Sequence, residues 1–495
     1  MSIYQTIQDF VDLALKNGAI EAMDNIYLRN QLLHFLGLDN WEQPKTSENK
    51  NQENSLLIMD ALLDTARENH QFDETESEFF EAALMDFITP RPSQINHDFW
   101  EKYKKNPKNA TDYFYHLARE INQVKTRDIA KNIAFIHPTK YGDLEITINL
   151  SKPEKDPKAI AAAKAQKNSA YPKCALCLEN EGLYGGSNHP ARSNHRVIRM
   201  ELNGANWGFQ YSPYAYYNEH SIVFNEKHQP MKINRQAFEN LLDFLDVFPH
   251  YMIGSNADLP IVGGSILTHD HYQAGRYNFP MMKASIRTQI QLKNYSNIHA
   301  GIVNWPMSVL RLQSNNKAEL LAASTEILKK WRCYNDESLQ ITAVTVDGVQ
   351  HHTITPIASK NKEGYIIDLV LRDNNTSLEF PDGVFHPHQE LHHIKKENIG
   401  LIEVMGLAIL PPRLKTELKE VEKYLIDEPN EINEIHLPWA KELRETQKIN
   451  PKDVHETVQQ AIGAVFEKVL QDAGVFKDDE KGQAAFYKFI DFINN

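Results

Sequence analysis

Histidine and glutamine side chains alternate in the segment "THDHYQAG", in which His269, His271 and Gln273 occupy every second position. In an extended chain alternate side chains point to one side, so these three groups are predicted to share one face of a strand. A neutral imidazole attacks phosphorus near neutral pH, and the phosphoramidate that forms divides one transfer into two easier steps. The pattern therefore favours nucleotidyl transfer, and a solvated strand face is the alternative.

Small residues lie directly before this segment and suit the binding of phosphate. Gly263 and Gly264 allow a ligand to approach the backbone closely, and their N–H groups can donate to anionic oxygens. Ser265 adds a hydroxyl donor, and Gly275 follows the segment. A phosphate-bearing substrate is the ligand that this composition predicts.

A second candidate site begins at "KCALCLENEG", where Cys174 and Cys177 are three residues apart. Two thiolates at this spacing can bind one zinc ion from a tight turn, but a structural zinc needs two further ligands. His228 and His269 are downstream candidates for a Cys2His2 set. The spacing alone leaves open both this zinc site and a pair of thiols that simply pack.

The composition excludes several classes of protein. The chain has 495 residues, a net charge of −13 and only three cysteines. The charge disfavours nucleic acid and acidic membrane surfaces as partners, and no apolar run has the length of a membrane span. The few cysteines and an N-terminus without a secretory signal predict a cytoplasmic protein.

Hydrophobic periodicity divides the chain into four predicted regions. Residues 1–135 are mainly helical, 136–298 contain short strands with the CxxC pair and the candidate nucleophile, 299–413 repeat this pattern, and 414–495 are helical. Each of the two central regions ends in an H-x-H sequence, the second being His386 and His388 in "FHPHQELHH". The pattern predicts an α+β fold with an internal duplication.

Several motifs together resemble a known family. His269 to Gln273 fit the H-x-H-x-Q signature of the histidine-triad superfamily, in its nucleotidyl-transferase branch. "CALC", "IVFNEKH" and "GGSILTHDHYQ" follow in the order found in galactose-1-phosphate uridylyltransferases. "YLRNQLLHFLGL", "HHTITPIA" and "FHPHQELHHIKKENIGLIEVMGLAILP" resemble the second, bacterial class of that family. The resemblance implies duplicated histidine-triad-like half-barrel units with antiparallel sheet, between a helical N-terminal region and a helical C-terminal tail.

The resemblance also implies roles for individual residues. His271 would be the nucleophile that carries the uridylyl group, and Gln273 would donate a hydrogen bond to the transferring phosphoryl group. The structural zinc would be held by Cys174, Cys177, His228 and His269. Gly264 and Ser265 would approach the phosphates, and Asn256 would contact the nucleotide.

The second H-x-H is less closely matched. By the resemblance, His386 and His388 correspond to a pair that supports a second metal, of unknown identity here, with His351 or His352 as a partner. Glu390 stands where the signature has glutamine, and its carboxylate would repel a phosphodiester, so no second nucleophile is predicted. A residual copy of the duplicated strand is the alternative. Lys395, Lys396 and Glu403 are weaker candidates for contact with the hexose.

The predicted activity is uridylyl transfer from UDP-glucose to galactose 1-phosphate in galactose catabolism, by a ping-pong mechanism. The predicted partners are thus a nucleotide sugar and a hexose phosphate, and a homodimer is left open. One alternative is a dinucleoside polyphosphate phosphorylase or nucleotide hydrolase that uses the same histidine. A histidine-rich metal-binding or sensor protein is the other, and it would bind metal without turnover.

Overall fold

Helices form the N-terminal part of the chain, in a computed structural model that describes residues 2–44, 54–151, 171–186, 189–264 and 266–495. Ser2 and Asn54 begin the first and third helices by accepting hydrogen bonds from backbone N–H groups of the first turn. The helices are Ile3–Lys16 (α1), Asn25–Phe35 (α2), Ser55–Glu68 (α3), Ser77–Asp86 (α4), Pro92–Lys105 (α5), Pro107–Glu120 (α6) and Thr126–Ile129 (α7). The prediction of a helical N-terminal region is confirmed, although a strand already begins at residue 133.

The remaining elements alternate between strands and helices. The strands are Ile133–Thr139 (β1), Gly142–Ile148 (β2), Ile198–Leu202 (β3), Ala205–Tyr211 (β4), Ser221–Asn225 (β5), Met252–Gly254 (β6), His271–Gly275 (β7), Ile286–Ile290 (β8), His299–Val303 (β9), Val309–Ser314 (β10), His352–Asn361 (β11), Gly364–Asp373 (β12) and Leu407–Leu410 (β13). The helices are Arg235–Val247 (α8), Pro280–Lys283 (α9), Lys317–Trp331 (α10), Leu401–Val404 (α11), Leu414–Leu425 (α12), Leu437–Thr446 (α13), Val454–Ala473 (α14) and Glu480–Ile493 (α15). Both the α+β class and the helical C-terminal tail are confirmed.

The order of elements repeats along the chain. Three strands, a helix and two strands occur first as β3, β4, β5, α8, β6 and β7, and again as β8, β9, β10, α10, β11 and β12. Asn234 and Asn316 cap the two helices of the repeat through their side-chain oxygens. This order agrees with the predicted duplication, and the predicted boundaries at residues 135, 298 and 413 stay predictions.

Residues 1–127, 153–215 and 219–229 form the first of two compact units. Its strands β3, β4 and β5 pair antiparallel in that order. Phe99 of α5 and Phe114 of α6 pack on Phe209 of β4, with ring centroids 6.5 and 6.0 Å from it. All three rings are buried, so an aromatic core fixes the helices of this unit on its strands.

Residues 128–152, 216–218 and 230–495 form the second unit. Its main sheet has the order β7-β6-β11-β12-β10-β9-β8, and every neighbouring pair is antiparallel. A smaller sheet joins β1 to β2 antiparallel and β2 to β13 parallel. Trp305, Ile357, Leu401 and Phe466 belong to the buried core that connects these sheets with the C-terminal helices. In the described part of the chain, no helix is both long and apolar enough to cross a membrane.

A buried histidine of the first unit predicts acid sensitivity. His195 is 2% exposed, its Nε2 lies 2.7 Å from Gln210 Oε1, and burial lowers its pKa to about 3. Below pH 6.5 the unfolded chain therefore binds a proton that the native state does not bind. The free energy of unfolding decreases as the pH is lowered from 6.5 to about 3. His195→Gln should remove about 1.4 kcal/mol per pH unit of this slope in denaturant unfolding between pH 6 and pH 4. If His195→Gln left the slope unchanged, His195 would not be the source of this pH dependence.

Candidate functional site

His271 is the first residue of β7, and its ring is held in one orientation. The ring is 6% exposed, and Nδ1 donates a hydrogen bond to the carbonyl oxygen of His269 at 2.7 Å. Because Nδ1 carries the proton, Nε2 keeps its lone pair. Burial lowers the pKa of His271, which favours the neutral ring. A neutral imidazole with one lone pair and a fixed direction is a nucleophile prepared for attack.

Gln273 lies two residues further along β7, on the same face as His271. Its backbone pairs with Gly254 of β6, and its buried side-chain oxygen has no hydrogen-bond partner among the described residues. Tyr272 points to the opposite face, where its hydroxyl accepts a hydrogen bond from Asn240 of α8 at 3.0 Å. The amide of Gln273 is therefore a polar group that a ligand can satisfy.

The predicted alternation holds for His271 and Gln273 but not for His269. His269 lies in a bend before β7 and is fully buried, whereas the prediction places all three groups on one strand. The strand begins two residues later than the sequence pattern indicates. His269 therefore does not have the backbone geometry of the strand. It contacts His271 through its carbonyl oxygen and not through its ring.

The glycine loop between β6 and β7 packs against Asn256. A Cβ atom on Gly264 would lie 2.8 Å from Asn256 Nδ2, so a larger residue here would have to displace this amide. Asn256 is 6% exposed, and its Oδ1 accepts a hydrogen bond from the backbone N–H of Leu401 at 2.9 Å. Ile261, in the same loop, has φ of 71°, a strained conformation for a β-branched residue. Ser265 lies outside the described residues.

Cys174 and Cys177 lie in a turn before a short 3-10 helix, Leu178–Asn180. Their Sγ atoms are 3.6 Å apart, and Cys177 Sγ is 3.2 Å from His228 Nδ1. Asn180 fixes the turn by donating to the carbonyl oxygens of both cysteines, at 2.9 and 2.8 Å. The turn therefore holds both sulfur atoms close enough together to bind a single ion.

A group of potential metal ligands is completed by His269. The ligand atoms of Cys174, Cys177, His228 and His269 all lie within 4.8 Å of one another. In a tetrahedral site with Zn–S bonds of about 2.3 Å, two sulfur atoms are about 3.8 Å apart, close to the distance between the cysteines. Burial raises the pKa of Cys177 to about 11, so its thiolate needs a cation to stabilise it. This cluster can bind a metal ion.

The second H-x-H does not lie on a strand. His386 and His388 belong to an irregular segment after β12 and before a 3-10 helix, Gln389–Leu391. The alternative that they are a copy of the duplicated strand is therefore wrong. In the repeat the place of β7 is taken by β12, whose sequence "GYIIDLVLRD" contains no histidine.

His388 instead joins a group that includes a residue from the C-terminal tail. Ligand atoms of His388, Glu390 and Asp472 lie within 4.8 Å of one another, and His388 Nδ1 is 3.5 Å from Asp472 Oδ2. His386 is not part of this group. Asp472 was missed at the level of sequence, where it is one acid among many in a helical region.

The two candidate partner histidines have other contacts. His351 Nδ1 lies 2.7 Å from Asn374 Oδ1. His352 is fully buried, with Nδ1 2.7 Å from the carbonyl oxygen of Trp331 and Nε2 3.0 Å from Asp373. The structure therefore does not bring these histidines into the group around His388.

Lys395 and Glu403, two of the weaker candidates, form a buried ion pair. Glu403 also accepts a hydrogen bond from the backbone N–H of Gly400 at 2.9 Å, at the start of α11. Lys396 is exposed and takes no part in the pair. The pair stabilises the turn at residues 399–401. In the same turn, the backbone N–H of Leu401 donates a hydrogen bond to Asn256.

The chain matches two models of one enzyme family. The chain matches the models for the N-terminal and C-terminal domains of galactose-1-phosphate uridyl transferase over residues 18–230 and 243–441. These models describe nucleotidyltransferases, which places the chain among enzymes of that class. The chain belongs to the galactose-1-phosphate uridyl transferase family.

Relatives of known name match over almost their whole length. The chain is 67% identical to galactose-1-phosphate uridylyltransferase of Lactococcus lactis subsp. lactis strain IL1403 over 495 residues, 100% of both chains. It is 54% identical to the enzyme of that name from Enterococcus faecalis over 491 residues, covering 99% of this chain and 98% of the relative. Among solved structures, yeast Ap4A phosphorylase Apa2 is similar with a TM-score of 0.34 and 11% identity, over 73% of this chain and 98% of that chain.

Proposed function

We propose that the protein transfers a uridylyl group from UDP-glucose to galactose 1-phosphate through a covalent bond to His271. The family and the full-length relatives of that name support this substrate pair. The hydrogen bond from His271 Nδ1 to the carbonyl oxygen of His269 is the observation that carries the proposal. Because this hydrogen bond keeps the ring proton on Nδ1, the lone pair of Nε2 stays available. This is the form of histidine that nucleophilic attack requires.

The reaction takes two balanced displacements at phosphorus. His271 Nε2 attacks the uridylyl phosphorus of UDP-glucose, the P–N bond forms, and the P–O bond to glucose 1-phosphate breaks. A phosphate oxygen of galactose 1-phosphate then attacks the same phosphorus, the P–N bond breaks, and UDP-galactose leaves. The proton on Nδ1 stays in place throughout, and the His269 carbonyl oxygen stabilises the positive charge that the ring acquires.

Gln273 and the glycine loop have supporting roles in this proposal. Gln273 lies on the same face of β7 as His271, and its amide nitrogen donates to a non-bridging oxygen of the transferring phosphoryl group. Gly264, where a larger residue would have to displace the Asn256 amide, brings the backbone close to the phosphates, and Ser265 adds a hydroxyl. Asn256 contacts the nucleotide as well as the turn at Leu401.

A structural zinc ion at Cys174, Cys177, His228 and His269 is part of the proposal. The two sulfur and two nitrogen donors suit zinc, and the 3.6 Å between the sulfur atoms supports a tetrahedral site. When bound, zinc supplies a cross-link and no step of the reaction. His269 would then fix the chain two residues before the nucleophile, so that its carbonyl oxygen stays aligned with His271 Nδ1.

For a second metal we propose the ligands His388, Glu390 and Asp472 in place of the pair His386 and His388. The three groups offer one nitrogen and two carboxylates, a set that suits a divalent cation of the first transition row. We also propose that the enzyme works in the cytoplasm, because no disulfide bond joins Cys174, Cys177 or Cys333.

The test uses the wild-type enzyme and UDP-glucose that carries the label in its uridylyl group. We expect a covalent label that is stable in base, labile in acid and released as UDP-galactose when galactose 1-phosphate is added. Release without an acceptor would indicate a hydrolase, and cleavage of diadenosine tetraphosphate would favour the phosphorylase alternative. Complete absence of covalent label would contradict the proposal.

A further inference from the structure

Arg372 of β12 is a buried cation without a carboxylate partner among the residues that the structure describes. The residue is 1% exposed, Nη1 donates to Thr355 Oγ1 at 3.3 Å, and Nη2 donates to the Ile399 carbonyl oxygen at 3.0 Å. Its Nε has no hydrogen-bond partner, and no ion pair joins Arg372 to any residue that the structure describes. A buried charge that only neutral oxygens contact is costly, so such a residue normally has a compensating partner.

The surrounding charges compensate Arg372 only in part. Burial lowers the pKa of Arg372 to about 10, and Glu403 acts on it only through space. Glu403 is already paired with Lys395. Asp373, the next residue, points to the opposite face of the sheet and contacts His352 there. The positive charge of Arg372 therefore remains available to an anion.

The register of the sheet places Arg372, which pairs with Thr353 of β11, on the face that carries the proposed nucleophile. Gly254 of β6 pairs with Gln273 on one side and with Ile357 on the other. Two residues back along the parallel strands β7 and β11 lie His271 and Thr355, so these two share a row and a face. Two strand spacings, about 10 Å, separate them.

The guanidinium also holds the turn that Asn256 contacts. Arg372 binds the carbonyl oxygen of Ile399, and two residues later the N–H of Leu401 donates to Asn256. Asn256 in turn packs on Gly264 of the glycine loop. Arg372 is therefore connected by direct contacts to the loop that we assign to the phosphates.

We infer that Arg372 is a positioning residue that provides the buried positive potential for the phosphate groups of the substrates. This inference rests on the proposed function, because it assumes that phosphates bind beside His271. At about 10 Å in a partly buried site, one unit charge changes the affinity for a unit negative charge by about tenfold. A neutral ligand should not respond to this charge.

The test compares the affinities of UMP and of uridine, which differ only in the phosphate. In Arg372→Gln, Kd for UMP should rise about tenfold or more, whereas Kd for uridine should change by less than about threefold. Arg372→Lys keeps the charge and should keep most of the preference for UMP. Arg311→Lys is the matched control, because Arg311 lies on the same sheet but is paired with Asp368 at 2.6 Å.

Two results would overturn the role of Arg372. Equal loss of UMP and uridine binding in Arg372→Gln would overturn it, because a purely structural role predicts that result. Failure of both Arg372→Gln and Arg372→Met to fold would also overturn it, since the residue would then serve stability. The covalent label of the wild-type enzyme is measured in parallel. Its absence contradicts the proposed function, whereas a normal label with an unchanged UMP preference contradicts only the role of Arg372.

Discussion

Replacing His271 by asparagine is expected to abolish the covalent label and to lower transfer by about 10⁴-fold or more. Asparagine can still donate to the His269 carbonyl oxygen but has no basic nitrogen at the position of Nε2. The substitution therefore removes the nucleophile and keeps the local hydrogen bond. Transfer is measured as the exchange of label between UDP-glucose and galactose 1-phosphate.

His352→Asn is the matched control for this prediction. His352 is also a buried histidine whose Nδ1 lies 2.7 Å from a backbone carbonyl oxygen, but its Nε2 is bound to Asp373. It has no free lone pair, so its folded variant should label as the wild type does. Labelling that persists in His271→Asn would require another nucleophile and would refute the mechanism.

Loss of a metal ligand is expected to have the largest effect on stability. Cys177→Ser should lower the zinc content of the purified protein from about one ion per chain to a small fraction, because thiolates supply most of the affinity in such sites. Loss of a structural metal typically costs about 4 kcal/mol or more, which lowers Tm by roughly 10 °C. Metal analysis and thermal unfolding measure the two effects.

Cys333→Ser provides the control for this substitution. Cys333 is an exposed free cysteine, so its replacement removes a thiol without touching the cluster. Zinc content and Tm should both stay at the wild-type values. If Cys177→Ser kept its full zinc content, the cluster would have to be a packed pair of thiols, the alternative that the spacing leaves open.

Local patterns in the sequence are sufficient for several elements of the fold. The helices α8 and α10 follow from apolar periodicity and from Asn234 and Asn316 at their starts. The turn between β11 and β12 follows from Gly364, which has φ of 121°. In these cases the interactions that decide the structure lie within a few residues of one another, so a single sequence is sufficient to predict them.

Other features depend on residues that are distant in the sequence. The hydrogen bond between Asn256 and Leu401 joins two segments that no local pattern connects, and Asp472 reaches His388 only because the C-terminal tail folds back. His386 and His388 have the spacing of a strand pair, but Pro387 between them provides no N–H group for a ladder. Arg372 is another such case, because no carboxylate among the described residues pairs with it, and only the fold makes this visible.

The small sheet of the second unit has a consequence for synthesis of the chain. Strand β2 pairs through Glu145 to Ile148 with β13, which begins only at Leu407. At typical rates of translation, about 260 residues take tens of seconds to make, and during that time β2 has one unpaired edge. Such an edge can bind other strands. The nascent chain is consequently most vulnerable to aggregation before Leu410 leaves the ribosome, and truncated chains that end earlier should require chaperones to stay in solution.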